Sequence, residues 1–182
     1  MRVIRFLSDD GKVYLGQEDG SVLDGEITGT LTPTGAKKAV AKILAPLIPT
    51  DIYCIGLNYR LHAEESGVDP DSIPNPVTFM KPISAVVGPG DDIIIPSLDK
   101  GDQLDWECEL AMVIGKPCKD VKAADALDYV AGYTVANDVS ARFWQMNAGG
   151  GQWIIGKGFD SLCRAYRYHQ ATLGTLSRPL IL

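Results

Sequence analysis

No stretch of about 18 apolar residues, the length a membrane-spanning helix requires, occurs in the chain. Residues 1–7 carry two arginines but not the sustained apolar run of a secretory leader. These absences point to a cytoplasmic protein, with a mitochondrial location as the alternative. Positive charge is also scarce: 17 Lys and Arg stand against 23 Asp and Glu, a formal net charge of −6. Nucleic acids and anionic membrane surfaces need a clustered positive field, so neither is expected as a partner. Small molecules and metal cations remain. The four cysteines, Cys54, Cys108, Cys118 and Cys163, show no C-x-x-C spacing, which argues against a zinc site and for reduced intracellular thiols. What the chain does have is 46% hydrophobic residues in 182, enough for one ordinary domain with a real core.

Residues 1–7, 12–17 and 21–27 predict three short strands, separated by the hairpin signals Asp9-Asp10-Gly11 and Glu18-Asp19-Gly20. Apolar residues at Ala36, Val40, Ile43 and Leu44 have helical spacing, and Pro46 would stop such a helix. A short buried strand over 51–57 then delivers the chain to Asn58-Tyr59-Arg60-Leu61-His62-Ala63-Glu64-Glu65. On a helix His62 and Glu65 are neighbours, either a carboxylate orienting an imidazole or an exposed ion pair. Residues 68–76, rich in Pro and Asp, suit a loop over a site. A strand over 77–80 ends at Lys81, a position that serves either a site or solvent.

The chain is organised around residues 105–115, Asp-Trp-Glu-Cys-Glu-Leu-Ala-Met-Val-Ile-Gly. Side chains alternate along a strand, so Glu107 and Glu109 share one face while Trp106, Cys108 and Leu110 share the other. Two adjacent carboxylates make either a solvated polar face or a site for a hard cation such as Mg²⁺, Mn²⁺ or Ca²⁺. The following Leu-Ala-Met-Val-Ile run predicts a strand buried on both faces, and carboxylates at its mouth would need a partner. Beyond it come a short helix over 121–127, an apolar strand over 129–135 and a helix over 139–147. Asp138 falls at the junction, able to cap the helix or bind a metal. Arg142 and Gln145 share a helical face, open to solvent or to a substrate carboxylate. Lys157 lies between Gly156 and Gly158, which permits close backbone approach to a ligand or marks a generic linker.

Taken together, Gly-Leu-Asn-Tyr-x-x-His-x-x-Glu, Phe-Met-Lys-Pro, Asp-x-Glu-x-Glu-Leu-Ala-x-Val-Ile-Gly, Gly-Tyr-Thr-Val-Ala-Asn-Asp-Val-Ser-Ala-Arg and Gly-Lys-x-Phe-Asp resemble the fumarylacetoacetate hydrolase family in content and order. The resemblance implies a β-rich α/β fold, a rolled mixed β-sheet with a small N-terminal β domain. It divides the chain into 1–48 (the small domain), 49–163 (the catalytic domain) and 164–182 (an atypical tail). It implies Glu107, Glu109 and Asp138 as ligands of Mg²⁺ or Mn²⁺, His62 and Glu65 as a water-activating dyad, and Lys157 as a catalytic cation. Arg142, Gln145 and Lys81 would bind substrate. The implied activity is metal-dependent hydrolysis of a carbon–carbon bond in acylpyruvates, or decarboxylation of oxaloacetate; isomerisation or hydration of 2-oxo acids in aromatic catabolism is the alternative. A homodimer acting on a small 2-oxo acid is the expected state.

Three departures stand out. Leu61 and Phe143 replace acids common in the family, which bears on substrate choice. The family usually continues well past the Phe-Asp-x-x-Cys segment, whereas residues 164–182 contain no Asp or Glu and match none of its motifs. A truncated member lacking C-terminal strands, active or not, is the resulting expectation, with uncovered apolar sheet surface as its physical consequence.

Overall fold

The computed structural model describes residues 1–98 and 103–170. Strands dominate. The leading segment is a meander of β1 (Arg2–Leu7), β2 (Val13–Gly16), β3 (Ser21–Gly25) and β4 (Leu31–Lys37), each antiparallel to the next. Both hairpin turns fall where the Asp-Gly pairs stand, with Gly11 and Gly20 at φ of 75° and 82°, values that favour glycine. The helix expected over residues 36–45 is absent. Its apolar residues serve β5 (Lys42–Leu44) instead, which pairs with β1, while Val40 and Ile43 pack on a cluster of Ile4, Phe6 and Val22. An open strand edge offered more than the local helical periodicity could.

Next, β6 (Ile52–Gly56) pairs with β7 (Val77–Lys81), and α1 (Arg60–Glu65) and a 3₁₀ turn over Pro70–Ser72 fill the connection between them. Two short strands follow, β8 (Val86–Val87) and β9 (Leu104–Asp105). The long pair is β10 (Cys108–Ile114) and β11 (Val130–Asp138), bridged by a 3₁₀ segment over Ala123–Tyr129 where a short helix was expected. After β12 (Ser140–Ala141), a π-helical turn over Phe143–Ala148 and α2 (Trp153–Lys157), β13 (Cys163–Gln170) closes the described chain. The helix expected over 139–147 thus begins as a strand residue pair and ends as a π turn, because β12 is captured by β9.

The large sheet runs β10-β11-β13-β1-β2-β3-β4, with β8 joining β13 in parallel, so the sheet is mixed as expected. Here β13 takes in residues 164–170 of the expected tail; residues 171–182 lie outside the described residues. It pairs His169 and Tyr168 with Arg2 and Val3, and through that contact Val3, Leu23, Ile27 and Leu31 share one apolar cluster with Val113 and Tyr168. The strand expected over 105–115 is broken at Trp106 and Glu107. Nor is it buried on both faces: Met112 and Ile114 are exposed, whereas Val113 on the opposite face is buried. That exposed face continues onto Val135 of β11 and Trp106.

Tyr168 is fully buried, and among the described residues its hydroxyl has no hydrogen-bond partner; burial pushes its pKa up to about 12. An unpaired buried hydroxyl costs about 1–3 kcal/mol, whereas losing a buried aromatic ring costs about 3–5 kcal/mol. Tyr168→Phe is therefore expected to hold or raise the urea midpoint and Tyr168→Ala to lower it sharply. Equal loss in both variants would show that the hydroxyl is satisfied.

Candidate active site

Glu107 and Glu109 do lie on one side of their strand, both half-buried, while Trp106 and Cys108 on the other side are exposed. The ladder to β11 continues past the formal end of β10, because the Asp138 N–H donates to the Glu107 carbonyl at 2.9 Å. Asn137 extends the grip by accepting the Glu107 N–H at 3.1 Å through its side-chain oxygen. These two bonds bring Asp138 beside Glu107 from the adjacent strand.

Two lysines then converge on the carboxylates. Lys157 Nζ donates to Glu107 Oε2 at 2.9 Å and to Asp138 Oδ2 at 2.8 Å. Lys81 Nζ donates to Asp138 Oδ1 at 2.6 Å and to the Val139 carbonyl at 3.1 Å. Both ammonium groups are essentially inaccessible, with side-chain exposure of 1%. Lys81 is therefore buried against Asp138 and not solvated. Charges so deeply placed persist only when paired and hydrogen-bonded. The glycines flanking Lys157 have a packing role: a Cβ at Gly156 would stand 2.4 Å from the Gln145 nitrogen and 2.7 Å from the Ala141 carbonyl oxygen. Gly156 thus permits close approach to β12 and the π turn, and Gly158 close approach to the Ile154 carbonyl oxygen. Phe79 lies under the ammonium at 4.9 Å from its ring centre.

Arg142 completes the cluster. Its Nη1 reaches Glu107 Oε1 at 2.7 Å and Gln145 Oε1 at 2.8 Å, while Nε and Nη2 hold Asp105 Oδ2 at 3.0 and 2.6 Å. The guanidinium expected to wait for a substrate carboxylate is engaged with the protein's own acids, and buried Gln145 is its partner. His62 is half-buried on α1 and Glu65 is exposed. Among the described residues no hydrogen bond or ion pair joins them, so the expected dyad is not assembled; a six-residue helix on the surface leaves the longer Glu65 side chain in water.

Electrostatics separate the carboxylates. Burial pushes Glu107 up, but the hydrogen bond and charge of Lys157, and then those of Arg142, outweigh it and hold it below the usual range. Asp105 is likewise raised by burial and lowered further by Arg142. Glu109 goes the other way: burial raises it, and the charges of Glu107 and Asp138 add to the rise despite the Tyr59 hydroxyl beside it. No group of three or more His, Cys, Asp or Glu side chains stands at metal-holding distances among the described residues. The donor set nevertheless suits a hard divalent cation, since Glu107, Glu109 and Asp138 are all oxygen donors and Glu109 is a crowded carboxylate with no cationic partner among the described residues.

Asn137, Ser140 and Tyr59 lie within the motifs, yet the sequence reading gives them no role. Ser140 Oγ is 3.3 Å from Glu107 Oε1, and the Tyr59 hydroxyl accepts the Leu110 N–H at 3.2 Å. Asn137 and Ser140 flank Asp138 in the motif, a cue that could have flagged them; nothing in the sequence ties Tyr59 to β10.

A family model described as fumarylacetoacetate (FAA) hydrolase C-terminal matches residues 51–165. The chain belongs to that family. Fumarylacetoacetate hydrolase domain-containing protein 2 homolog of Dictyostelium discoideum is 51% identical over 121 residues, 66% of this chain and 38% of that protein. Oxaloacetate tautomerase fahd2, mitochondrial, of Xenopus laevis is 50% identical over 123 residues, 66% of this chain and 37% of that protein. The match thus spans well under half the length of these relatives. Among solved structures, 5-carboxymethyl-2-hydroxymuconate delta-isomerase from Mycobacterium smegmatis superposes with a TM-score of 0.75 at 34% identity, covering 92% of this chain and 66% of that one. The Xenopus relative and the Mycobacterium smegmatis structure are named as a tautomerase and an isomerase, and the β-rich fold is shared.

Two outcomes follow from the charges. A carboxylate whose folded pKa is raised costs stability once it ionises, so the cost is absent at acid pH and grows as pH rises through the raised value. Glu109→Gln is expected to raise the metal-free thermal midpoint at neutral pH, by roughly 2–4 °C for each kcal/mol relieved, with the gain vanishing in acid. Glu107 and Asp105 carry the opposite sign: their contribution is present above the ordinary carboxylate range and lost as pH falls. Lys81→Met should cost about 3–5 kcal/mol in urea unfolding, the penalty of stranding a buried charge; no loss would mean that Lys157 alone satisfies Asp138.

Proposed function

We propose that this protein interconverts the enol and keto forms of a small 2-oxo acid, with Glu107, Glu109 and Asp138 holding Mg²⁺ or Mn²⁺. The observation that supports this most is the nearly dry Lys157 ammonium shared by Glu107 and Asp138, with Arg142 against the same Glu107. A bound divalent cation would polarise the keto and carboxylate oxygens of the substrate as a Lewis acid.

The protein's own groups do the rest. Lys157 Nζ donates a hydrogen bond to the oxygen on which enolate charge develops, a contribution worth about 10²–10³ in rate for one well-placed donor. Arg142 binds the substrate carboxylate by exchanging Asp105, the more exposed of its two acidic partners, and Gln145 Oε1 keeps the guanidinium oriented during that exchange. His62 removes the proton from the carbon beside the keto group, and a proton is delivered to the enolate oxygen; the reverse passage restores the ketone. Lys81 holds Asp138 in place. Hydrolytic carbon–carbon cleavage needs, in addition, a water activated by a paired His62 and Glu65, and that pairing is missing among the described residues. Proton transfer therefore takes precedence over hydrolysis, in keeping with the name of the Xenopus relative. That name also makes a mitochondrial location the more attractive of the two compartments. A homodimer remains the proposed assembly.

Two assays test this on the purified chain. Decay of enol oxaloacetate in the presence of Mn²⁺ is expected to be accelerated, and Lys157→Met to lose about 10²–10³ of that acceleration. Cleavage of acylpyruvates without enol turnover would overturn the assignment in favour of hydrolysis. Thermal unfolding supplies the metal test: a midpoint raised by Mn²⁺ by several degrees, corresponding to about 2.7 kcal/mol at a hundredfold excess over the dissociation constant, and insensitive to Mn²⁺ in Glu109→Ala.

A further inference from the structure

The turn between β6 and α1 is shaped by Leu57, whose φ of 54° is a left-handed value that residues other than glycine rarely adopt. Two residues later Tyr59 forms the N-cap of α1, in extended conformation and without a side-chain capping bond. Its side chain is instead spent on another element. Among the described residues β10 is the outermost strand of the large sheet and pairs only with β11, so an amide directed away from β11 has no described strand to receive it. The Leu110 N–H is satisfied by the Tyr59 hydroxyl oxygen at 3.2 Å. Having accepted that bond, the phenol still has a proton to donate, and Glu109, the residue directly before Leu110 on the same strand, is the acid placed next to it.

Tyr59 therefore touches both halves of the proposed site. It stands at the mouth of the helix that carries His62, three residues before it, and it braces the strand that carries Glu109. Lys157 and Arg142 fix Glu107, and Lys81 and Lys157 fix Asp138, whereas Glu109 has no cationic partner among the described residues. Resting on the metal assignment above, we propose that Tyr59 is a positioning residue: its phenol orients Glu109 as a metal ligand and docks the His62 helix onto β10. Groups that hold a ligand in orientation typically change metal affinity about 10–100-fold when removed.

The experiment is calorimetric titration of the whole chain with Mn²⁺, comparing the unchanged protein with Tyr59→Phe, Glu109→Gln and the double variant. Tyr59→Phe should raise the Mn²⁺ dissociation constant about 10–100-fold, and it should add nothing in the Glu109→Gln background, because its effect passes through that carboxylate. Amide exchange at Leu110 should quicken in Tyr59→Phe while exchange at Tyr168 in the core stays slow. An unchanged dissociation constant, or losses from the two substitutions that simply add, would overturn the proposal. So would faster exchange at Tyr168, which would reduce Tyr59 to a structural prop. If the unchanged chain itself binds no Mn²⁺, the metal assignment falls first and the role of Tyr59 with it.

Discussion

The Lys157 ammonium, held between Glu107 and Asp138, is the contact on which the site depends. Two carboxylates projecting from neighbouring strands repel each other, and the interior offers little water to screen them. A single buried cation donating to both, at 2.9 and 2.8 Å, turns that repulsion into a bridge between β10 and the end of β11. Lys81 and Arg142 then occupy the outer oxygens of the same two acids. When ionised, Asp105, Glu107, Glu109 and Asp138 bring four negative charges against three positive ones. A divalent cation would tip that balance to one net positive charge, which is what a monoanionic substrate carboxylate can neutralise.

Topology explains why residues so distant in sequence meet. Lys81 ends β7, Lys157 ends α2, and both deliver their long side chains to the place where β10 begins and β11 ends. Neither lysine could reach the acids if its backbone stood off; a Cβ at Gly156 or at Gly158 would collide with neighbouring backbone. The leading strands contribute at a distance. Through β1 and β13 they share a cluster with Val113 of β10, so the strand carrying Glu109 rests on residues from the first thirty-one of the chain.

Much of this was legible in the sequence wherever the determining interaction is local. The Asp-Gly turns, the alternation of Glu107 and Glu109, and the strand-end position of Lys81 each depend on a few adjacent residues. Non-local hydrogen bonds defeated the rest. Residues 36–45 have a helix's spacing but were claimed by the edge of β1, and the strand predicted over 105–115 breaks where Arg142 and Asn137 draw Asp105 and Glu107 into other bonds. The apolar Leu-Ala-Met-Val-Ile run carries no mark of which face is covered. The spacing put Arg142 on one helical face with Gln145, yet no spacing rule could show that its charge is already taken up by Asp105 and Glu107.

The surrounding thiols narrow the chemistry further. Cys54 and Cys163 both lie near the lysine–carboxylate cluster. Burial, with Asp138 adding to it, pushes the Cys54 thiol up to about 12, and burial also raises Cys163. A thiol protonated at neutral pH is a poor nucleophile, so a covalent intermediate on sulfur has no starting point here. What the cluster itself presents are oxygen anions, buried ammonium groups and a guanidinium, with His62 proposed as the base. Such a set is suited to stabilising charge on a substrate oxygen while a proton leaves the adjacent carbon, and enolate formation is the step common to tautomerisation, decarboxylation and retro-Claisen cleavage. Which of these completes the turnover depends on what meets the enolate. A proton alone gives tautomerisation, and cleavage requires a further activated water, for which the separation of His62 from Glu65 supplies no base pair.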